Sequence, residues 1–286
     1  MSKLIIVSNR LPVSMERRKG GLSFQQGAGG LATGIASFYK TYESIWVGWP
    51  GIDSDKIEKN KEEIRKRLIS EFNCHPVFLP KRDFDNYYSG FCNNTIWPLF
   101  HYFPQHTVYK ENFWKSYKRI NELFCEEVLT IAKEEDVIWI HDYQLMLLPK
   151  LLREKLPDAT IGFFLHIPFP SFELFRILPW RNELLEGLIG SDLIGFHTYD
   201  YALNFLKSSQ RLLGYEQDMG QIHSHDRVIK VDTFPLGIEF KRYYESREDP
   251  KVEKEIEKLK KDVGKYQVIL SIDRLDYTKG IIERLE

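Results

Sequence analysis

The sequence predicts an α/β protein: a doubly wound, mostly parallel sheet, with a second domain only begun near the C-terminal end. Two observations carry this. Short apolar runs alternate with amphipathic segments along all 286 residues, the order that winds helices around a parallel sheet. Several of those runs are almost continuously hydrophobic, as strands covered on both faces must be.

The strand candidates are Leu4–Ser8, Ile45–Val47, Val77–Leu79, Val137–Ile140, Ile161–Leu165, Leu193–Phe196, Val228–Thr233 and Val268–Ile272. Between them Trp114, Tyr117, Ile120, Phe124, Val128 and Ile131 recur at the spacing of one buried helix face. Leu145–Leu152 follows directly on a strand as a second helical pattern. The charged run Glu248–Lys261, EDPKVEKEIEKLKK, reads as a helix with a solvated face. It follows FPLGIEF (Phe234–Phe240), whose Pro and Gly mark a reversal or connector. A first domain over 1–236 is expected. Residues 237–286 then hold the connector and the opening βα unit of a second domain, too short to build a core alone.

An apolar share of 43% is that of a globular chain. The net charge of −1 gives no general field for nucleic acid or an anionic membrane, so an anionic ligand needs a local cluster. Cys74, Cys92 and Cys125 are far apart, with no CxxC pair. That pattern fits a reducing cytoplasm and argues against a disulfide framework or structural zinc. The apolar run in MSKLIIVSNR is too short for a signal segment or a membrane span. A soluble cytoplasmic protein is expected.

Five stretches could carry chemistry. VSNRLPV followed by GAGGLATGI (Gly27–Ile35) pairs a strand end bearing Arg10 with a glycine-rich loop. Such a loop either lets backbone N–H groups approach an anion or is simply a tight turn. In WVGWPG (Trp46–Gly51), Trp46 reads as core and Trp49 as a candidate ligand wall. YYSGFCNNTIWPLFHYFP (Tyr87–Pro104) is aromatic, lacks a clean period and reads as an irregular, site-lining segment. VIWIHDYQLMLLP runs a buried strand into Asp142, either a sugar-binding or acid/base carboxylate or a helix cap. IGFFLHIPFPS repeats the arrangement with His166. HSHD (His223–Asp226) reads as a solvent-facing polar loop without further metal ligands, and RRKGGL (Arg17–Leu22) as part of a long loop, either simply exposed or a mobile basic lid.

In this order and spacing, VSNRLPV, GGLATGI, WVGWPG, HDYQLMLLP, LHIPFPS, LIGFHT, FPLGIE and DRLDYTKG span the chain and resemble the trehalose-6-phosphate synthases, glycosyltransferase family 20. The resemblance implies a GT-B fold of two Rossmann-like domains and transfer of glucose from UDP-glucose to glucose-6-phosphate, with retention and without a metal or cofactor. It implies that Arg10, Tyr88 and Trp97 hold the acceptor's phosphate and ring, with Trp49 as a wall and Asp142 on its hydroxyls. His166 would sit at the donor glucose, and Gly29 and Gly30 would let their loop close on the donor. Arg274 and Lys279 would clamp the diphosphate and stabilise its developing charge. His166, Asp142, Arg274 and Lys279 are thus the expected catalytic set.

DRLDYTKG would be the first phosphate-binding turn of the nucleotide-sugar domain, most of which would lie beyond Glu286. The chain by itself is then expected to show little or no transfer. A homo-oligomer is compatible with the resemblance. The neighbouring reading is a glucosylglycerol-phosphate synthase using glycerol-3-phosphate, and a non-catalytic sugar-phosphate-binding subunit is the reading from another class.

Overall fold

The computed structural model describes residues 2–18, 21–26, 44–224, 227–238 and 240–286. They fall into two compact units, Met1–Leu236 and Gly237–Glu286.

The first unit is built on a nine-stranded sheet. Its strands are β1 (Leu4–Arg10), β4 (Ser44–Trp49), β5 (Cys74–Pro76), β6 (Val137–His141), β7 (Thr160–Phe164), β8 (Leu193–Phe196), β9 (Glu216–Asp218), β10 (Gln221–Ser224) and β11 (Arg227–Thr233). They lie in the order β5-β4-β1-β6-β7-β8-β11-β10-β9. Every pair from β5 to β11 is parallel, and the β11–β10–β9 edge is antiparallel. From β1 the winding runs one way through β4 to β5 and the other way from β6 onward. The crevice at such a reversal, outside the carboxyl ends of the strands, is where open α/β sheets bind ligands. Here it opens at the ends of β1 and β6.

One sheet face carries Ile5, Val7, Ile138, Ile140, Ile161, Phe163, Ile194 and Phe196 into the larger core. Helices α1 (Lys61–Phe72), α2 (Glu111–Leu129), α3 (Leu148–Arg153), α4 (Arg181–Ile189) and α5 (Tyr199–Leu213) surround the sheet. Along α2 the residues Trp114, Tyr117, Ile120, Phe124 and Val128 are all buried, the stripe that the sequence predicts. On the opposite face Ile6 and Trp46 meet Ile64 and Leu68 of α1.

Several expectations are corrected. Residues 13–26 include an antiparallel hairpin, β2 (Val13–Arg18) with β3 (Gly21–Gln26), where a long loop is expected. Its Val13 and Met15 are buried in the smaller core, which gives the segment a reason to be ordered. Strand β5 lies three residues upstream of Val77–Leu79. Pro76 has no N–H to continue a ladder, and after Val77 donates to the Gly48 carbonyl (2.9 Å) the chain leaves the sheet edge. Val77 and Leu79 are still buried. His223 and Ser224 belong to β10 rather than to a loop, with His223 exposed, and the rest of HSHD lies outside the described residues.

The aromatic segment after Tyr87 is helical, not irregular. Asp85–Ile96 is a π-helix, which continues into an α-turn at Trp97–Phe100. Tyr87, Gly90, Phe91, Cys92, Thr95 and Ile96 are its buried positions. A coil bonded i→i+5 repeats its inward face every four to five residues, matching neither the helical nor the strand pattern sought.

In the second unit α6 (Pro250–Val263) is capped by Asp249 and exposed on most of its surface. Val268–Ile272 forms no strand. Val268, Ile269, Leu270 and Ile272 are exposed, and no strand among the described residues pairs with them. A single extended segment has no ladder to join. No described helix is long and apolar enough to cross a membrane.

Candidate active site

At the end of β1 the pairing with β4 slips. Val7 stands opposite Val47, yet Arg10 stands opposite Trp49, so β1 spends one residue more than its neighbour. Ser8 braces this bulge: its hydroxyl accepts from Trp46 Nε1 at 2.8 Å and donates to the Arg10 carbonyl at 2.9 Å. Strict alternation would put Arg10 on the side of Ser8. The extra residue instead brings its guanidinium over the Trp49 ring, 5.6 Å from the centroid. Asn9, beside it, accepts a hydrogen bond from the Tyr87 hydroxyl (2.9 Å).

Trp49 is less open than its place in a turn suggests, at 9% exposure. Its indole N–H is tied to the Ile52 carbonyl, and Phe84 packs against it with centroids 4.2 Å apart. Phe84 in turn stacks on Tyr88 at 5.1 Å. Arg10, Trp49, Phe84 and Tyr88 therefore form one continuous cation–aromatic row. Gly51, at φ +88°, passes beneath Arg10, and a Cβ there would meet a guanidinium nitrogen at 3.0 Å.

At the end of β6, Asp142 adopts φ 75° and ψ 168°, a region that side chains other than glycine's rarely enter. The surroundings hold it there. Its N–H donates to the Phe164 carbonyl at 2.8 Å. From α2, the Tyr117 hydroxyl donates to the Tyr143 carbonyl and Asn121 to the Gln144 carbonyl. The Asp142 side chain accepts from the backbone N–H groups of Tyr143 and His166, so it is a cap as well as a strained strand-end carboxyl. Burial raises its pKa to about 6, against those two hydrogen bonds, which favour the charged form. Trp97 packs 5.9 Å from Tyr143, the next residue.

His141 ends β6, and His166 and His197 follow the carboxyl ends of β7 and β8. His141 Nδ1 is 3.0 Å from His166 Nε2, and the His166 and His197 ring centroids are 5.5 Å apart. Burial holds all three below the ordinary histidine value. His166 falls to about 4, burial acting first and His197 second. Neutral rings suit hydrogen bonding to a sugar better than charge donation.

The sequence pattern of glycosyltransferase family 20 matches residues 2–286. The chain belongs to glycosyltransferase family 20. Among its relatives are a bifunctional trehalose-6-phosphate synthase/phosphatase of Thermoproteus tenax, 44% identical over 99% of this chain and 39% of its own length. The UDP-forming α,α-trehalose-phosphate synthase A of Dictyostelium discoideum is likewise 44% identical, over 99% of this chain and 38% of its own. An E. coli trehalose-6-phosphate structure bound with UDP-2-fluoro glucose superposes with a TM-score of 0.82 at 32% identity, covering 99% of this chain and 59% of that one. The chain thus spans well under two thirds of the length of these relatives. The likeness also shows the GT-B type of α/β fold.

For this family 20 chain the expected residues divide. Arg10, Trp49 and Tyr88 form one row, and Asp142, His166 and Trp97 gather around the ends of β6 and β7. Arg274 and Lys279 belong to the second unit, where both are exposed. There the turn is capped by Asp276, which accepts from Thr278 N–H, and ends in a left-handed Gly280 rather than opening a helix. Gly29 and Gly30 lie outside the described residues. The sequence reading gives no role to His141, His197, Asn9 or Phe84. For the histidines a signal exists: IWIH, FFLH and IGFH each end an apolar strand on histidine. Asn9 and Phe84 carry none that spacing could show.

Proposed function

We propose that this chain supplies the sugar-phosphate half, and the first phosphate-binding turn of the nucleotide-sugar half, of a UDP-forming α,α-trehalose-phosphate synthase. Glucose passes from UDP-glucose to glucose-6-phosphate. The observation that carries this reading is the row Arg10–Trp49–Phe84–Tyr88 at the end of β1, with Asp142 following the adjacent strand β6. It offers a forked cation for a phosphate, an aromatic wall for a sugar ring and a carboxyl for hydroxyls. The names of the relatives support the same substrates.

In the reaction, the bond from glucose C1 to the diphosphate oxygen breaks and a bond to the acceptor hydroxyl oxygen forms on the same face. The departing phosphate takes the acceptor's proton. Arg274 and Lys279 stabilise the charge left on the diphosphate, and His166 faces the donor sugar. Residues 1–236 bind the acceptor, and 237–286 connect to and begin the donor domain. The three buried free cysteines support a reducing cytoplasm.

Calorimetric titration tests this. Glucose-6-phosphate should bind the chain, glycerol-3-phosphate should bind at least ~10-fold more weakly, and Arg10→Ala should abolish the glucose-6-phosphate signal. Tighter binding of glycerol-3-phosphate would move the assignment to the glycerol-using synthases. Rapid glucosyl transfer by these 286 residues alone would overturn the division of labour between the halves.

A further inference from the structure

Two imidazoles from neighbouring strand ends share one contact that the reaction scheme leaves unused. His141 Nδ1 and His166 Nε2 are 3.0 Å apart, and the rings are inclined by 30°. Two ring nitrogens at that distance attract only when one carries a proton and the other a lone pair. If the proton belonged to His166 Nε2, a neutral His141 would have to carry its own on Nε2. That nitrogen is buried and has no hydrogen-bond partner among the described residues. Its ring packs against Trp139, centroids 4.4 Å apart, at one end of a recess of about 460 Å³ with otherwise largely apolar walls. Orphaned buried N–H groups are rare, and leaving one unpaired costs on the order of 1–3 kcal/mol. With the proton on His141 Nδ1 it is used, and no donor is stranded.

We propose that His141 is a positioning residue: it donates its Nδ1–H to His166 Nε2 and so fixes His166 as the Nδ1–H tautomer. His166 then offers a hydrogen-bond donor at Nδ1, and its only ring lone pair is already engaged. It can hold an oxygen of a ligand but cannot act as a ring base. The hydrogen bonds that His166 makes through Nε2 and its backbone N–H leave Nδ1 for that purpose. The depressed pKa of both rings keeps the pair neutral, as a single shared proton requires. That the oxygen belongs to the donor sugar rests on the proposed function; the tautomer does not.

The test is a long-range nitrogen–carbon-bound-proton NMR spectrum of the nitrogen-15 histidine-labelled chain at neutral pH, assigned with a His166→Gln variant. His166 Nδ1 should show the pyrrole-type shift of a protonated nitrogen and Nε2 the pyridine-type shift. His141→Asn, whose amide N–H can stand near the lost Nδ1, should preserve that pattern. His141→Phe should release His166 to the ordinary Nε2–H form. A pyridine-type Nδ1 with a pyrrole-type Nε2 on wild-type His166 would overturn the proposal, and so would an unchanged His166 in a folded His141→Phe chain. The wild-type spectrum decides even if a variant does not fold. Absence of glucose-6-phosphate binding alongside the expected tautomer would count against the proposed function only.

Discussion

Asp142 Oδ1 accepts the backbone N–H of His166 at 3.2 Å, and it also takes that of Tyr143 at 3.0 Å. One carboxyl oxygen thereby joins the end of β6 to the segment that follows β7. At about pH 4, where the Asp142 pH-dependent contribution is still present, asparagine keeps an acceptor and tolerates positive φ, so Asp142→Asn should change urea stability by no more than about 1 kcal/mol. Asp142→Ala strands two amides and should cost about 2 kcal/mol or more. Equal losses in the two variants would show that the carboxyl oxygen does not hold the strand ends.

The same group gives a pH signature. Its pKa of about 6 lies above the unfolded aspartate value, because burial favours the neutral acid. The contribution to stability is therefore complete below about pH 4 and is lost as pH rises through 6, by roughly 3 kcal/mol. Urea titrations between those limits should show this slope in the wild type and lose it in Asp142→Asn.

Glu127 should behave in the opposite sense. It forms a two-bond pair with Arg65, both at 2.9 Å, and contacts His75 Nε2 at 2.8 Å, tying α2 to α1 and β5. Burial alone would raise its pKa, but the hydrogen bonds from His75 and Arg65, with the Arg65 charge, bring it to about 2. The stability it contributes is present above the unfolded value and lost as pH falls towards 2, about 3 kcal/mol in all. Glu127→Gln should flatten the acid limb of the stability curve while barely altering the neutral limb relative to pH 5; an unchanged acid limb would contradict the pairing.

On the proposed function Arg10 acts as a fork, not merely as a charge. Arg10→Lys keeps the cation and loses the two-pronged contact, so glucose-6-phosphate affinity should fall about 10-fold, with an enthalpy change smaller in magnitude by calorimetry. Affinity equal to wild type would mean that charge alone is recognised.

Two glycines should fail for different reasons. At Gly187 in α4, an added Cβ would stand 2.3 Å from the Met146 carbonyl oxygen, so Gly187→Ala should cost about 1–3 kcal/mol through overpacking. At Gly214, the left-handed end of α5 with φ +75°, nothing lies within 4 Å of a new Cβ. Gly214→Ala should therefore cost only about 1 kcal/mol, from backbone strain. Thermal melts of the pair would distinguish the two effects.

The parallel strands and α2 were legible in the sequence because burial on both faces, or along one stripe, leaves a periodic trace. Asp85–Ile96 was not, since its period belongs to neither pattern. The hairpin β2–β3 hides behind mixed charged residues, and its order comes from Val13 and Met15 packing on a core formed elsewhere. Val268–Ile272 carries a strand's composition, but a strand also needs a neighbour. Within the site, Arg10, Asp142 and His166 announced themselves as polar residues closing apolar runs. Phe84 and Asn9 became visible only when the π-helix and the β1 end were brought side by side.

The bulge at Ser8–Asn9 makes the site a matter of counting as well as chemistry. Removing one residue there would restore regular pairing, with Val7 opposite Val47 and Arg10 opposite Trp49 as now. Replacing a residue alters one contact, whereas shortening the strand end by one would remove either the Ser8 hydroxyl that joins Trp46 to the Arg10 carbonyl or the Asn9 amide that receives the Tyr87 hydroxyl. Efforts to retune the acceptor should therefore vary residue identities along this strand end and leave its length untouched.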